Sequence, residues 1–194
     1  MHKKKLILLI FILVALVQIY VPAKMIFDSE TVLESGTVYK FKVAPVDPND
    51  PFRGKYITLS FLENRFQVPN VNAWATNEVV YVILTTDKDG FARIHSLSKE
   101  KPADNQHFVK AKIGFATATN DKYLNIVYPF DRFYMEESKA PVAEKVYLEA
   151  VRDTTQVAFA LVKIYDGEAV LKDVMIDGIS IREIVKNRNQ NQNP

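Results

Sequence analysis

Two hydrophobic rhythms divide the chain. Residues 6–21, LILLIFILVALVQIYV, form an unbroken apolar run whose one polar member is Gln18. As a helix rising about 1.5 Å per residue, this run spans roughly 24 Å, slightly short of a bilayer core. Extension through Pro22, Ala23, Met25, Ile26 and Phe27 gives about 20 or more usable residues, with Lys24 snorkelling to water. MHKKK precedes the run, and a lysine cluster there predicts a cytoplasmic amino terminus with the remainder across the membrane. A cleaved signal peptide, cut near Val21-Pro22-Ala23, is the alternative. The run exceeds the usual signal core of about 7–15 residues, which favours an uncleaved anchor.

Past residue 27 the rhythm changes. DSETVLESG, residues 28–36, reads as the end of a helix stopped by Gly36. TVYKFKVA then alternates, with Tyr39, Phe41 and Val43 on one face and Val38, Lys40 and Lys42 on the other. PVDPNDPFRG, residues 45–54, carries three prolines and a glycine and is expected as a loop. KYITLSF places Ile57, Leu59 and Phe61 together on one face of a strand. EVVYVILTT and FARIHSLS flank DKDG, residues 87–90, a hairpin signal. HFVKAKIGFATA and KYLNIVY are further strands. A helix follows, with Ser138 as its expected N-cap, Pro141 in its first turn, and Val142, Val146 and Val151 near one face. VAFALVKIYDGEAVLKDVMI reads as a second hairpin turning at Asp166-Gly167, and NRNQNQNP as a disordered tail.

One line occurs twice. KYITLSFLENRF at 55–66 and KYLNIVYPFDRF at 122–133 stand 67 residues apart and share Lys55/Lys122, Tyr56/Tyr123, Arg65/Arg132 and Phe66/Phe133. Ile57, Leu59 and Phe61 match Leu124, Ile126 and Tyr128 in pleat as well as in type. Each copy is followed by a hairpin with Asp-Gly at its turn. The expectation is an internal duplication, residues 37–98 and 107–180, with the helix inserted in the second unit. The predicted fold class is mainly β: a transmembrane helix, then a sandwich or partly open barrel of two related β units. The predicted domains are a leader and anchor at 1–27, an extracytoplasmic β-rich domain at 28–186 and a disordered tail at 187–194.

Composition removes several chemistries. There is no cysteine, hence no disulfide, thiolate nucleophile or thiolate metal site. The net charge of +2 arises from Lys3, Lys4 and Lys5; the rest carries 22 basic and 23 acidic residues. A near-neutral body gives no reason to propose nucleic-acid binding.

PVDPNDPFRGKYITLSF, residues 45–61, resembles the motif of the GDYXXLXY family of bacterial membrane-anchored proteins, with Gly54, Tyr56 and Leu59 at motif positions. The resemblance continues through VVYVILTTDKDGFARI, RFYMEESKAPVAEKVY and VLKDVMIDG and covers nearly the whole chain. Lys55 replaces the motif aspartate and Phe61 its last tyrosine. Those departures fit a structural motif, with Gly54 for a backbone turn and Tyr56 and Leu59 packing on opposite faces. The resemblance implies a membrane anchor and an accessory role beside a multi-pass membrane protein, without a settled activity.

No catalytic constellation stands out, and neither a cofactor nor a metal is expected. His2, His95 and His107 have no second ligand at metal spacing. Asp47, Asn49 and Asp50 lack the order of a calcium loop and read as a turn. Glu136 and Glu137 sit where a helix begins, a favourable place for negative charge, and are also the available carboxylates. Arg53, Arg65 and Arg132 are the notable cations. Arg65 and Arg132 are related by the repeat and flanked by aromatics, with Glu63, Asp131 or Glu136 as partners or an anion bound between the units. A serine–lysine peptidase, with Ser29 or Ser35 as nucleophile and Lys55 as base, is the remaining enzymatic reading, and Lys55 lacks the desolvation such a base needs. The expected function is a non-enzymatic, membrane-anchored interaction domain. The alternative is a ligand-binding module lined by Tyr56, Tyr123, Arg65 and Arg132.

Overall fold

A computed structural model describes residues 2–45, 56–103, 107–117, 122–153 and 155–191. The apolar run and the acidic stretch after it form one helix, α1 (His2–Ser35), which passes through Pro22 without ending. Its apolar side chains are exposed on every side from Leu6 to Phe27, and its one buried residue is Val32. The helix stops where its last turn meets the β body. The Gly36 amide bonds the Val32 carbonyl at 2.9 Å, and a Cβ at Gly36 would fall 2.4 Å from that oxygen and 3.2 Å from the Ile164 backbone. Lys163 donates to the Leu33 carbonyl and, at 3.4 Å, to that of Glu34, so a cation sits at the negative end of the helix dipole.

Among the described residues twelve strands follow: β1 (Thr37–Ala44), β2 (Tyr56–Thr58), β3 (Ser60–Phe61), β4 (Arg65–Gln67), β5 (Val79–Thr86), β6 (Ala92–Ser98), β7 (Phe108–Thr117), β8 (Tyr123–Val127), β9 (Arg132–Tyr134), β10 (Ala158–Tyr165), β11 (Glu168–Ile176) and β12 (Ile179–Ser180). Helix α2 (Ala140–Arg152) separates β9 from β10, and α3 (Ile181–Asn191) ends the described chain. The strands form two five-stranded sheets, ordered β12-β11-β10-β1-β3 and β4-β8-β7-β5-β6, and a ribbon β2-β9. Together they make a β-rich body with a nearly closed, barrel-like sheet, as the alternation predicts. Tyr39, Phe41 and Val43 point inward, as do Ile57, Leu59 and Phe61.

The two copies of the repeated line pair with each other. Tyr56, Ile57 and Thr58 face Tyr134, Phe133 and Arg132, while Gln67, Phe66 and Arg65 face Tyr123, Leu124 and Asn125. Adding 67 to each residue of the first copy, and subtracting it from each of the second, converts one register into the other. The bonds between them obey the same exchange: Leu59 N–H to the Asp131 carbonyl at 2.8 Å, and Ile126 N–H to the Asn64 carbonyl at 2.7 Å. The larger sheets follow suit. Exchanging β1 with β7, β3 with β8, β10 with β5 and β11 with β6 turns the order β11-β10-β1-β3 into β6-β5-β7-β8. Both hairpins carry a mid-strand bulge, after Ile83 and after Leu161. Each unit's first strand therefore pairs with the other unit's hairpin, β1 with β10 and β7 with β5.

Four rings lie where the copies meet. Phe41, Phe61, Tyr128 and Phe130 are all mutually in contact, with centroids from 5.0 to 5.8 Å apart. Such pairs add about 0.5–1.5 kcal/mol each beyond the burial of their area. The Tyr128 hydroxyl donates to the Glu63 carbonyl at 2.6 Å, which satisfies the one polar atom in the cluster. Burial pushes this phenol far above the ordinary tyrosine range.

Several sequence expectations shift in detail. KYITLSF divides at Leu59 because β2 pairs with β9 and β3 with β1, so one line serves two partners. Ser138 does not cap α2. The cap position is Lys139, without a side-chain bond, because the Lys139 and Ala140 amides both bond the Glu136 carbonyl and the turn closes one residue later. The face α2 buries is Ala140, Ala143, Val146, Tyr147 and Ala150, with Val142 and Val151 at its margins. Residues 187–191 of the expected disordered tail continue α3; residues 192–194 lie outside the described residues. Ile181 and Val185 are buried, and Arg188 bonds Glu149 of α2 at 3.0 Å, which gives the polar sequence a surface to fold against. A further tight hairpin, β11 to β12, turns at Asp177-Gly178. Residues 46–54 of the expected loop, Gly54 among them, and Lys55 after it lie outside the described residues.

Candidate functional site

The candidate binding residues come together as two separate stacks. On the β4–β8 pair, the Arg65 guanidinium lies 5.1 Å from the Tyr123 ring centroid. On the β2–β9 ribbon, the Arg132 guanidinium lies at the same 5.1 Å from the Tyr56 ring. The two are related by the exchange that relates the strands, because Tyr56 matches Tyr123 and Arg65 matches Arg132. Alternation places them outside: Leu124, Ile57 and Phe133 fill the core, and their strand neighbours face water. A cation over an aromatic face contributes about 0.5–1 kcal/mol at such exposed positions.

The stacks are not equal. Tyr134 stands 59% exposed with its ring 5.4 Å from that of Tyr56, where the other copy presents Gln67. Arg132 is held above the ordinary arginine range by the Tyr134 hydroxyl first, then by Tyr56 and Asp131, whose carboxylate lies 3.9 Å from Nε. The richer surface is therefore Tyr56, Arg132 and Tyr134. Arg53 lies outside the described residues. Glu136 pairs with Lys139 at 2.8 Å at the start of α2 rather than with either arginine. Glu63 binds a residue the sequence reading did not single out: Arg93 donates to its carboxylate, which also accepts the Ile94 amide at 3.2 Å. Nothing local in FARIHSLS signals that pairing, since Glu63 and Arg93 are 30 residues apart.

Three clefts lie away from both stacks, with none of Tyr56, Tyr123, Arg65 and Arg132 in their linings. The largest of these three, about 500 Å³, lies between α1 and the β10–β11 turn and includes Lys24, Asp28, Ser29, Tyr165, Asp166 and Glu168. Clefts of about 220 and 170 Å³ adjoin the last turn of α2. Ser29 shares the first cleft with Lys24, which is ion-paired to Asp28 at 2.5 Å and more than half exposed, the opposite of the dry, neutral amine a serine–lysine pair needs. Ser35 is the last residue of α1, and Lys55 lies outside the described residues. His107 meets the edge of the Tyr39 ring at 6.0 Å, and no group of three His, Cys, Asp or Glu suited to a metal occurs among the described residues. The paired arginines and tyrosines suit recognition: flat, cationic, aromatic faces on rigid strands.

A family model described as GDYXXLXY protein matches residues 18–174, from within α1 to near the end of β11. The chain belongs to that family. No match was found among curated proteins or among solved structures.

Proposed function

We propose that this GDYXXLXY protein is a single-pass, membrane-anchored interaction domain, with its amino terminus in the cytoplasm and its β body outside, accessory to a multi-pass membrane protein. The observation that carries the reading is α1. Its stretch Lys3–Ser35 holds a window of mean hydropathy 2.8, none of which is buried within the chain. An apolar helix with no protein around it requires lipid or another helix. Lys3, Lys4 and Lys5 favour the cytoplasmic side for its start. The apolar run is longer than the usual signal core of about 7–15 residues, and the anchor is taken as uncleaved. The β body is taken as a duplicated unit, a reading supported by the exchange symmetry of its strand pairing. The partner-facing surface assigned here is Tyr56, Arg132 and Tyr134, since exposed Tyr and Arg on rigid strands form the strongest interface contacts.

Capture of the full-length protein in mild detergent tests this. A stoichiometric integral membrane protein is expected, and its loss with Arg132→Ala plus Tyr134→Ala would assign the surface. Recovery of the chain alone overturns the reading. A second reading, an anion-binding module, draws on the guanidinium of Arg65 as well as that of Arg132. It expects the double variant Arg65→Ala, Arg132→Ala to abolish an anion-dependent rise in melting temperature.

A further inference from the structure

We infer that the tip of the β10–β11 hairpin rests in the lipid headgroup layer, so that the β body lies on the membrane rather than standing off it. This rests on α1 being the membrane anchor. From Lys5 to Lys24 the helix rises about 28 Å, close to the roughly 30 Å of a bilayer core. The two lysines therefore mark its two faces, and the Lys24–Asp28 pair stands among headgroups. That pair does not stand alone. Tyr165, Asp166 and Glu168, at the hairpin tip, form the other wall of the cleft that Lys24 and Asp28 line. The tip is thus level with the first charged residues past the apolar run.

The contacts between helix and body fix this height. Val32 is buried, Gly36 is pressed against Ile164, and Lys163 holds the last carbonyls of α1. No loop intervenes between helix and body that would let the hairpin swing away, since Gly36 alone separates α1 from β1. The tip also has the composition of an interfacial contact. Tyr165 is 47% exposed, and the Lys101 ammonium is paired with Asp166 at 2.6 Å beside it. Tyrosine is enriched at this depth because its ring is apolar and its hydroxyl wet. Ile179, 49% exposed, lies at the opposite end of the same ribbon: β10 runs toward the helix and β11 away from it, and Ile179 pairs with Ile176 across from Ala158 at the start of β10.

The chain has no cysteine, so single cysteines report their positions without background. Spin labels on Leu13→Cys, Tyr165→Cys and Ile179→Cys in the full chain, reconstituted in phosphatidylcholine bilayers, are read for relaxation by oxygen and by nickel chelated to lipid headgroups. The expected result is strong oxygen relaxation at position 13 and headgroup-nickel relaxation at 165 several-fold above that at 179. Glu168→Cys, opposite Tyr165 in the hairpin, repeats the measurement should Tyr165→Cys fail to fold. Equal nickel relaxation at 165 and 179, with position 13 in lipid, overturns the inference and leaves the anchor standing. A water-exposed position 13 overturns both.

Discussion

The first copy of the repeated line ends its apolar face in Phe61 and the second in Tyr128, so at this place the two related pieces of structure differ by one oxygen. Phe61 packs against Phe130 with ring centroids 5.2 Å apart. At the equivalent place Tyr128 donates to the Glu63 carbonyl at 2.6 Å, Glu63 being the counterpart of Phe130. Apolar packing in one copy and a satisfied hydroxyl in the other occupy the same position about the exchange. The comparison teaches that phenylalanine and tyrosine each complete the same core at this place. It also explains how the first copy accommodates phenylalanine at the last motif position.

The largest effect is expected where both copies depend on one side chain. Phe41 touches Phe61, Tyr128 and Phe130 and is fully buried, so Phe41→Ala should cost about 3–5 kcal/mol in urea unfolding and loosen both halves in a single transition. Separate transitions for the halves would break the picture of one shared core.

The hairpin turns sharpen the comparison next. The β10–β11 turn places Asp166 and Gly167 both at positive φ, 48° and 84°, a two-residue primed turn. The β5–β6 turn needs positive φ only at Gly90, 79°. A Cβ on Gly167 would lie 2.5 Å from the Phe108 ring, whereas one on Gly90 meets nothing within 4 Å. Gly90→Ala should therefore cost about 1–2 kcal/mol from backbone strain alone, and Gly167→Ala distinctly more, by thermal melts. Equal costs would mean that Phe108 moves aside freely.

Smaller again is the hydroxyl itself. Tyr128→Phe should cost about 1–3 kcal/mol by stranding the Glu63 carbonyl, while its reciprocal, Phe61→Tyr, tests whether the Phe130 side offers an acceptor. A neutral Tyr128→Phe would show that the oxygen is dispensable to both copies. For the outer stacks, double-mutant cycles on Arg65/Tyr123 and Arg132/Tyr56 should each return about 0.5–1 kcal/mol. A larger value for the second would measure the contribution of Tyr134.

The smallest effect is one of pH. The Phe91 amide, then the Asp89 amide and the Arg93 charge, hold the Asp87 carboxyl below its ordinary range. A carboxyl depressed in the folded state stabilises above its unfolded pKa, about 3.9, and that stabilisation is lost as pH falls through the lower folded value. Stability should thus decline slightly below about pH 4, and Asp87→Asn should flatten that part of the profile in acid titrations followed by circular dichroism.

Much of this was legible in the sequence because alternation reports burial directly. Ile57, Leu59 and Phe61, and Leu124, Ile126 and Tyr128, are inward as their spacing requires. The hairpins at 87–90 and 166–167 announce themselves through Asp-Gly. What alternation does not contain is the choice of partner. Two similar lines can lie side by side within their own units or clasp each other, and only the second brings Arg132 over Tyr56. Helix α3 was hidden for a related reason: its sequence is polar, and its folding depends on Glu149 and the groove beneath Ile181. The arginine–tyrosine pairing was visible as composition and invisible as geometry.

The crossing of β1 to β10 has a consequence for biogenesis. Thr37 must wait for Ile164, and Phe41 for Ala160, before either can close a ladder. A chain made from its amino terminus presents its opening strand unpaired while more than a hundred residues follow. Throughout that interval Tyr39, Phe41 and Val43 are a sticky template for neighbouring chains. Shielding that strand until β10 is made therefore bears on the yield of folded protein as well as on its final stability.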